Sequence, residues 1–259
     1  MALITKNNYQ VVIAGTGNVS RSLIYAFRQA GVALSGVFTR GNSEAIKYLN
    51  SNNISVLNSE QQINEPCICF LTVPDRCIEP VANKLKLNSN SIVVHTAGSV
   101  DIDVFRNLPF NYGVFYPVQT FHKSNVVDFK DVNVCLEAYN ADTLTVLNHL
   151  TEKITDKIHF LNSYQRLILH IAAVFACNFS NLMYSIAEKI SAENNIEFSL
   201  LYNLILETAK RATQFSPSKI QTGPAVRNDF ITIEKHLKQI QNTDKQIYEL
   251  LTEILRNKK

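Results

Sequence analysis

The chain has 259 residues, of which 46% are hydrophobic and 18% are charged, and its formal net charge is +3 at pH 7. This composition is typical of a globular protein with one large or two modest domains. The small, dispersed charge argues against a nucleic-acid-binding or membrane-surface protein. The N-terminus has no charged-then-apolar signal, and the most apolar segment, 167–179, is interrupted by His170 and Asn178. We therefore expect a cytoplasmic protein with no membrane span.

The five cysteines do not form a recognisable framework. Cys67 and Cys69 lie in an apolar run that predicts a buried strand, which places both side chains on one face. Since a second cysteine pair and a histidine cluster are both missing, we predict no metal site and interpret the cysteines as reduced, buried thiols.

The first predicted elements form a strand, turn, helix and strand over residues 9–40. The apolar run 11–13 is typical of a parallel strand covered on both sides. The segment 21–30 has apolar residues at helical spacing and ends at Gly31, and 32–38 predicts the second strand.

A glycine-rich turn joins the first strand to the first helix. In this context a G-x-G-x-x-G-like pattern indicates a dinucleotide site. Gly15 allows the tight turn, Gly17 lets the backbone approach a pyrophosphate at the positive end of the helix, and Ser20 replaces the third glycine. The predicted cofactor residues here are Gly15, Thr16, Gly17, Asn18 and Val19. The alternative is a βαβ unit that binds no nucleotide.

The end of the second strand indicates which dinucleotide is bound. Thr39 and Arg40 stand where an NAD site normally has an acidic residue for the ribose 2′-hydroxyl. A guanidinium group matches a phosphate, so the sequence favours NADP. The alternative is that Arg40 is a solvated surface residue.

The next predicted elements are a helix at 43–50, strands at 54–57, 67–73 and 91–95, and a helix at 77–87. Ligands of open α/β sheets lie beyond the carboxyl ends of the strands. We therefore expect Thr72, Val73 and Pro74 and the turn of Ala97, Gly98 and Ser99 to line the nicotinamide half of the cofactor, with Ser99 in contact with the substrate. The alternative is that the proline and glycine in these turns only end the strands, which would explain both turns equally well.

The remaining pattern separates two halves of the chain. Strands are predicted at 114–116, 132–137 and 157–161 and a helix at 142–153, whereas everything after residue 162 is helical, with helices at 163–193, 198–214, 229–241 and 244–256. The predicted fold is α/β: an N-terminal Rossmann-type parallel sheet with helices on both faces in residues 1–161, then an all-α domain in 162–259.

Polar residues interrupt the first long helix at helical spacing. His170, Val174, Asn178 and Asn181 fall on one stripe, so the polar members need partners or a cleft. His170 is a candidate proton donor as hydride arrives, and Asn178 a candidate substrate ligand. The alternative is that these residues bond to backbone at a dimer or domain interface.

Two loops supply further candidate substrate residues. In the segment 221–229, Thr222 and Asn228 can form hydrogen bonds and Arg227 can pair with a carboxylate. The alternative is a structural turn in which Asn228 or Asp229 caps the following helix. Gln119 can reach the same cleft, whereas the neighbouring His122 is equally compatible with a solvent-facing position.

Five segments in order along the chain carry a resemblance to a known family. They are GTGNVSRSL, VVHTAGSV, YGVFYPVQTF, AAVFACNFSNLMY and QTGPAVRND. The chain resembles bacterial proteins that join a Rossmann-like domain to a helical domain of unknown function, are grouped near the deazaflavin-dependent NADP oxidoreductases and have no assigned reaction. More distantly it is similar to pyrroline-5-carboxylate reductases, ketopantoate reductases and β-hydroxyacid dehydrogenases.

The resemblance implies NADP bound to the N-terminal domain, a helical domain that forms a homodimer, and a small-molecule substrate in the cleft between domains. The ketopantoate reductases and β-hydroxyacid dehydrogenases also have a catalytic lysine four residues before an asparagine of the long helix. Here Val174 precedes Asn178 by four residues, so that proton donor is missing.

Two functions follow from the sequence. The first is an NADP-dependent reductase of a small oxo or imino acid, with hydride transferred across the cleft. The second is a non-catalytic module that binds or senses NADP.

Overall fold

The computed structural model describes residues 9–41, 43–58 and 61–257. The chain divides into two compact units, Met1–Phe175 and Ala176–Lys259. The first unit contains the sheet and its helices, together with the beginning of the long helical segment. Compactness by itself does not define a folding domain, so the sequence-based boundary after residue 161 stays a prediction.

The main sheet has eight strands among the described residues, and a further two strands form a small separate sheet. In chain order the strands are β1 (Gln10–Ala14), β2 (Leu34–Phe38), β3 (Val56–Leu57), β4 (Gln62–Ile63), β5 (Cys67–Leu71), β6 (Lys86–Leu87), β7 (Ile92–His95), β8 (Asn111–Pro117), β9 (Val134–Ala138) and β10 (Ile158–Phe160). The order across the main sheet is β10-β9-β8-β7-β5-β1-β2-β3. The order reverses between β1 and β5, which is the switch point where doubly wound folds bind ligands.

The predicted parallel, Rossmann-type sheet is confirmed, with one exception at its far side. From β3 to β8 neighbouring strands run parallel, but β9 pairs antiparallel with β8. The chain from β8 to β9 contains no crossover helix, and antiparallel neighbours do not require one.

The α-helices described before residue 162 are α1 (Asn18–Gln29), α2 (Ser43–Ser51), α3 (Ile78–Ala82) and α4 (Ala141–Thr151). The predicted helix 77–87 is wrong in length. A 3-10 turn (Asp75–Cys77) precedes the short α3, and Lys86–Leu87 forms β6, which pairs with β4. Leu87 and Ile63 face each other in register and are both buried, so packing outweighs the helical periodicity here.

Apolar side chains cover both faces of the sheet, as predicted. Val11, Ile13 and Phe70 belong to one core cluster, while Val12 and Cys69 belong to the cluster on the opposite face. This alternation follows from the two-residue repeat of a strand. Burial raises the pKa of the thiols of Cys67 and Cys69, so both are kept as neutral thiols.

The second half of the chain is helical, as predicted, and the long helical segment contains a π-helical stretch that the sequence did not indicate. The helical elements are α5 (Ser163–Ala173), the π-helix (Val174–Phe179), α6 (Ser180–Glu193), a 3-10 turn (Phe198–Leu201), α7 (Tyr202–Gln214), α8 (Phe230–Leu237) and α9 (Asn242–Asn257). A π-turn closes hydrogen bonds between residues five apart, so it rotates everything that follows. Asn178 and Asn181 therefore do not continue the His170 stripe at α-helical spacing.

The segment Ser163–Glu193 is long and apolar enough, by length and composition, to cross a membrane. It is the one helix in the described part of the chain that meets this test, with a mean hydropathy of 1.5 over 18 residues, none of them buried. His170 and Asn178 therefore do not lower the mean hydropathy of this helix enough to exclude a membrane span. A single helix of this kind is weak evidence for a membrane protein, because core helices of soluble proteins have the same composition.

A buried ion pair ties the start of α5 to the sheet. Arg166 is 1% exposed and donates hydrogen bonds to the Glu137 carboxylate of β9 and to the Val100 carbonyl. The Ser163 hydroxyl donates to both Glu137 oxygens at 2.9 and 3.1 Å, and it accepts from the Ile102 backbone N–H at 3.0 Å. These bonds fix the first turn of α5 against β9 and the segment that follows β7.

We predict that Arg166→Ala destabilises the first unit by about 3–5 kcal/mol, because it leaves the Glu137 carboxylate without its cation in a buried site. Urea denaturation of the full chain measures the change. The control is Lys157→Ala, which removes an exposed ion pair of 2.7 Å with Asp131 and is expected to leave the midpoint unchanged. Equal midpoints for the two variants would show that the buried pair does not anchor the helix.

Candidate functional site

The predicted cofactor turns meet at one edge of the sheet. Phe38, Ala14, Leu71 and His95 are register partners on four neighbouring strands, and each lies at the carboxyl end of its strand. The turns that follow them start side by side at the switch point between β1 and β5.

Gly15 is required by its backbone conformation and by its neighbour. Its φ is +119°, and a Cβ there would lie 2.6 Å from the Thr72 carbonyl oxygen. Its N–H donates to the Phe38 carbonyl at 3.0 Å, which joins the glycine turn to the end of β2. Only glycine fits this position without strain.

The first turn of α1 provides free backbone donors. Gly17 is the N-cap, and no side chain caps it. A Cβ on Gly17 would meet only the Thr72 carbonyl oxygen at 4.0 Å, so the space in front of it is open. Ser20 is fully buried, and the Asn18 side chain donates to the Phe121 carbonyl at 3.1 Å. Thr16 and Val19 flank this open, donor-rich turn, a geometry suited to a pyrophosphate.

Thr39 and Arg40 follow β2 directly beside the glycine turn. Thr39 is half-buried, and Arg40 is exposed and makes no hydrogen bond or ion pair with any other described residue. A guanidinium group in this position is available to a phosphate.

The two turns predicted for the nicotinamide half are connected. Thr72 is buried and its hydroxyl donates to the Ala14 carbonyl at 3.2 Å, so it holds the exit of β5 against β1. Val73 and Pro74 lead to Asp75, whose carboxylate accepts from the Ser99 hydroxyl at 2.5 Å. The Ser99 hydroxyl therefore links the two turns, and its predicted contact with substrate stays a prediction.

A buried histidine shapes the second of these turns. His95 is fully buried, and its Nδ1 accepts from the Ala97 N–H at 3.2 Å. Burial, reinforced by the nearby Arg166 charge, lowers the pKa of His95 to about 3. His95 is therefore neutral at physiological pH and holds the Ala97 backbone through Nδ1.

His170 lies against this turn. A Cβ on Gly98 would be 2.7 Å from both Cγ and Nδ1 of His170, so the imidazole packs on the bare glycine backbone. The hydroxyl of Tyr116 lies 3.1 Å from His170 Nδ1, and the two rings meet edge to face at 6.0 Å. Tyr116 was not among the predicted site residues, although its place at the end of an apolar strand, just before Pro117, matches the rule that indicated Thr72 and Ala97.

The loop after β8 reaches the glycine turn through the Phe121 carbonyl, which accepts from Asn18, and it contains the predicted substrate residue Gln119, whose contact with substrate stays a prediction. Gln119 is exposed and its amide oxygen accepts from the Thr120 N–H at 2.8 Å. His122 is exposed and pairs with the Ser124 hydroxyl at 2.8 Å.

The other predicted site residues lie in the second unit. Asn178 is exposed within the π-helix, and Thr222, Arg227 and Asn228 are exposed in the turn before α8. Asn228 has a φ of +54° and its side chain accepts from Arg256 at 3.4 Å. Asp229 caps α8 by accepting from the Thr232 N–H, which confirms the N-cap interpretation. Binding of substrate by these residues stays a prediction.

In the described residues, no group of three or more His, Cys, Asp and Glu side chains is arranged to hold a metal ion.

Two family models match the chain. Residues 10–98 match the family described as "NADP oxidoreductase coenzyme F420-dependent", and residues 132–254 match a domain of unknown function, DUF2520. The first match contains the glycine turn, Arg40, the Thr72 turn and Gly98. No curated protein sequence matches the chain.

Solved structures share the fold over nearly the whole length. A "putative NADP oxidoreductase" from Bacteroides fragilis is 28% identical with a TM-score of 0.87, covering 96% of this chain and 98% of that one. An imine reductase from Streptomyces aurantiacus is 11% identical with a TM-score of 0.70, covering 95% and 93%. A pyrroline carboxylate reductase from Plasmodium falciparum, solved with NADP bound, is 12% identical with a TM-score of 0.61, covering 97% of both chains. The last two likenesses concern the fold alone.

We predict that Gly17→Ala weakens NADPH binding by about 10–100-fold, which is the effect of losing one charge-assisted hydrogen bond. Its thermal stability should stay near that of the wild type. The added methyl group enters the open space in front of α1, where it keeps a pyrophosphate away from the backbone, and Gly17 has an ordinary φ of −76°. Fluorescence titration with NADPH and thermal melts measure the two quantities.

Gly15→Ala is the matched variant. It should lower the melting temperature as well as the affinity, because its Cβ would collide with Thr72. A Gly17→Ala variant that binds NADPH as tightly as the wild type would exclude a pyrophosphate at this turn.

Proposed function

The chain belongs to the NADP oxidoreductase family that pairs this nucleotide-binding domain with a C-terminal domain of unknown function, and we propose that it reduces a small oxo or imino acid. The observation that carries this proposal is the position of His170 against Gly98. The Gly98 turn follows the strand next to the switch point, where the nicotinamide half of a dinucleotide is expected. This contact supports His170 as a proton donor beside the expected hydride donor.

His170 takes the role that relatives give to a lysine. Reduction of a C=O or C=N bond needs a hydride on carbon and a proton on oxygen or nitrogen. Val174 cannot supply a proton, whereas His170 lies one helical turn earlier and is held in place by Gly98 and Tyr116. Asn178, Thr222, Arg227 and Asn228 remain candidate ligands for the substrate heteroatom and its carboxylate.

We predict that purified protein oxidises NADPH with one or more members of a panel of pyruvate, glyoxylate and 1-pyrroline-2-carboxylate. His170→Gln should lower kcat by about 10²–10⁴, the usual contribution of a positioned proton donor, with NADPH affinity and melting temperature near wild type. Glutamine keeps polarity and approximate size in the half-buried site. A variant that melts early but turns over normally per folded molecule would make His170 a packing residue.

The alternative is a module that binds or senses NADP without catalysis, which the valine at the lysine position favours. Tight NADPH binding without oxidation by any member of the panel would support this alternative over the reductase.

We further propose that the cofactor is NADP rather than NAD. The exposed guanidinium of Arg40 follows β2 and pairs with no described residue, and positions 39 and 40 are threonine and arginine, not the acidic residue that would bind a free ribose 2′-hydroxyl. A 2′-phosphate would gain a charge-assisted hydrogen bond from Arg40.

We predict an affinity gap of about 10–100-fold between NADPH and NADH, equal to one such hydrogen bond, and we expect Arg40→Ala to close it. Fluorescence titration with both nucleotides measures the gap. Arg106→Ala is the control, because it removes the same charge from the exposed segment before β8 and should preserve the preference. Equal affinities in the wild type would contradict NADP selectivity.

The partner we propose is a second copy of the chain, joined through the helical unit, in a cytoplasmic protein. Leu200, Leu204, Leu206 and Ile231 are each more than 60% exposed in this unit, and the 163–193 segment adds further apolar surface. Exposed apolar area of this extent is typical of an interface, and isologous pairing covers it.

We predict that the protein purifies without detergent and that light scattering gives twice the mass of one chain. Leu204→Glu with Leu206→Glu places charges on the apolar surface and should lower the mass to that of a monomer, while Lys210→Glu on the same helix should not. A monomeric wild type would contradict the dimer, and a protein extracted only by detergent would contradict the cytoplasmic location.

A further inference from the structure

The His170 ring is enclosed on one side. Gly98 packs against Cγ and Nδ1, and the Tyr116 hydroxyl lies 3.1 Å from Nδ1. In the part of the chain that the structure describes, no hydrogen-bond partner reaches Nε2. Nδ1 is therefore committed to Tyr116, and Nε2 is the nitrogen left for a ligand.

The Tyr116 partner selects a tautomer of the neutral imidazole. A phenol hydroxyl donates its hydrogen readily, and a neutral imidazole accepts through its unprotonated nitrogen. Donation from Tyr116 to Nδ1 leaves the ring hydrogen on Nε2. A neutral His170 then presents an N–H, and not a lone pair, toward the open side.

A neutral imidazole gives up its only N–H proton with difficulty, because the product is an anion. A proton that arrives at Nδ1 as the Nε2 proton leaves removes this obstacle. Tyr116 is the group placed to supply it, and it is held at the end of β8 with only 7% of its surface exposed.

We infer that Tyr116 and His170 form a proton relay, in which Tyr116 protonates Nδ1 while Nε2 protonates the substrate heteroatom. This inference rests on the proposed reductase function. A bound reduced nicotinamide would supply the hydride for the new C–H bond and, with it, the two electrons that reduce the substrate. The π electron pair of C=O or C=N moves to oxygen or nitrogen. That atom takes the Nε2 proton, Nδ1 takes the Tyr116 proton, and the phenolate recovers a proton from water.

The first test needs no substrate. With ¹⁵N-histidine labelling, the ring nitrogen shifts at a pH where histidines are neutral report the tautomer, and His170→Gln identifies the His170 signals. We expect the Nε2–H tautomer in the wild type and a loss of that preference in Tyr116→Phe. Tyr112→Phe, the same change at a buried position of the same strand, should leave the signals unaltered. An Nδ1–H tautomer in the wild type would mean that Tyr116 accepts, and it would overturn the relay.

The second test follows the protons during turnover of whichever panel compound is reduced. Tyr116→Phe keeps the ring packing and should lower kcat about 10²-fold or more, with NADPH affinity unchanged. In mixtures of H₂O and D₂O, we expect a curved plot of rate against deuterium content for the wild type, because two protons move together. For Tyr116→Phe we expect a straight line, because only one proton moves. A linear dependence in the wild type, or normal turnover in the variant, would overturn the relay. If no panel compound is reduced, the proposed function is contradicted, while the NMR experiment still decides whether Tyr116 donates to His170.

Discussion

The ion pair of Arg166 and Glu137 is the constraint on which the position of His170 depends. Burying two charges is expensive, and the expense is offset only when hydrogen bonds satisfy both groups. Here Ser163 and the backbone of Val100 and Ile102 extend the network, although the buried Nε of Arg166 has no hydrogen-bond partner among the described residues, and these bonds hold the first turn of α5 on the sheet. His170 lies one turn beyond Arg166 on the same helix face. The ion pair therefore determines where the imidazole stands, although it touches neither Gly98 nor Tyr116.

The arrangement of the glycine turn and the Thr72 turn does not depend on the ion pair. It depends on the close approach of Gly15 to Thr72, which brings the exits of β1 and β5 together without any residue of α5. The two halves of the proposed chemistry meet at the turn after β7, where His95 holds Ala97 and Gly98 supports His170. A change in α5 can thus displace His170 while the glycine turn stays intact.

The sequence predicted the sheet well because its signals are local. The apolar runs, the glycine turn and Arg40 occupy the places assigned to them, and the register of four strands brings their exits together. The pairing of Lys86 and Leu87 with β4 was missed because it depends on a contact distant in sequence. The π-helix was missed because apolar spacing does not reveal hydrogen bonds between residues five apart. Tyr116 was missed because a buried tyrosine in a strand looks like a core residue until the hydroxyl's partner is known.

The buried His95 limits the stability of the folded protein in acid. His95 has a pKa of about 3 when folded, whereas an unfolded chain gives histidine a pKa near 6.5. Between these values the unfolded state binds a proton that the folded state excludes, so the free energy of unfolding falls as the pH drops. The buried cation of Arg166 helps to keep that proton out. His95 orders the Ala97 turn at neutral pH. In acid, proton uptake by its imidazole therefore favours unfolding of the sheet.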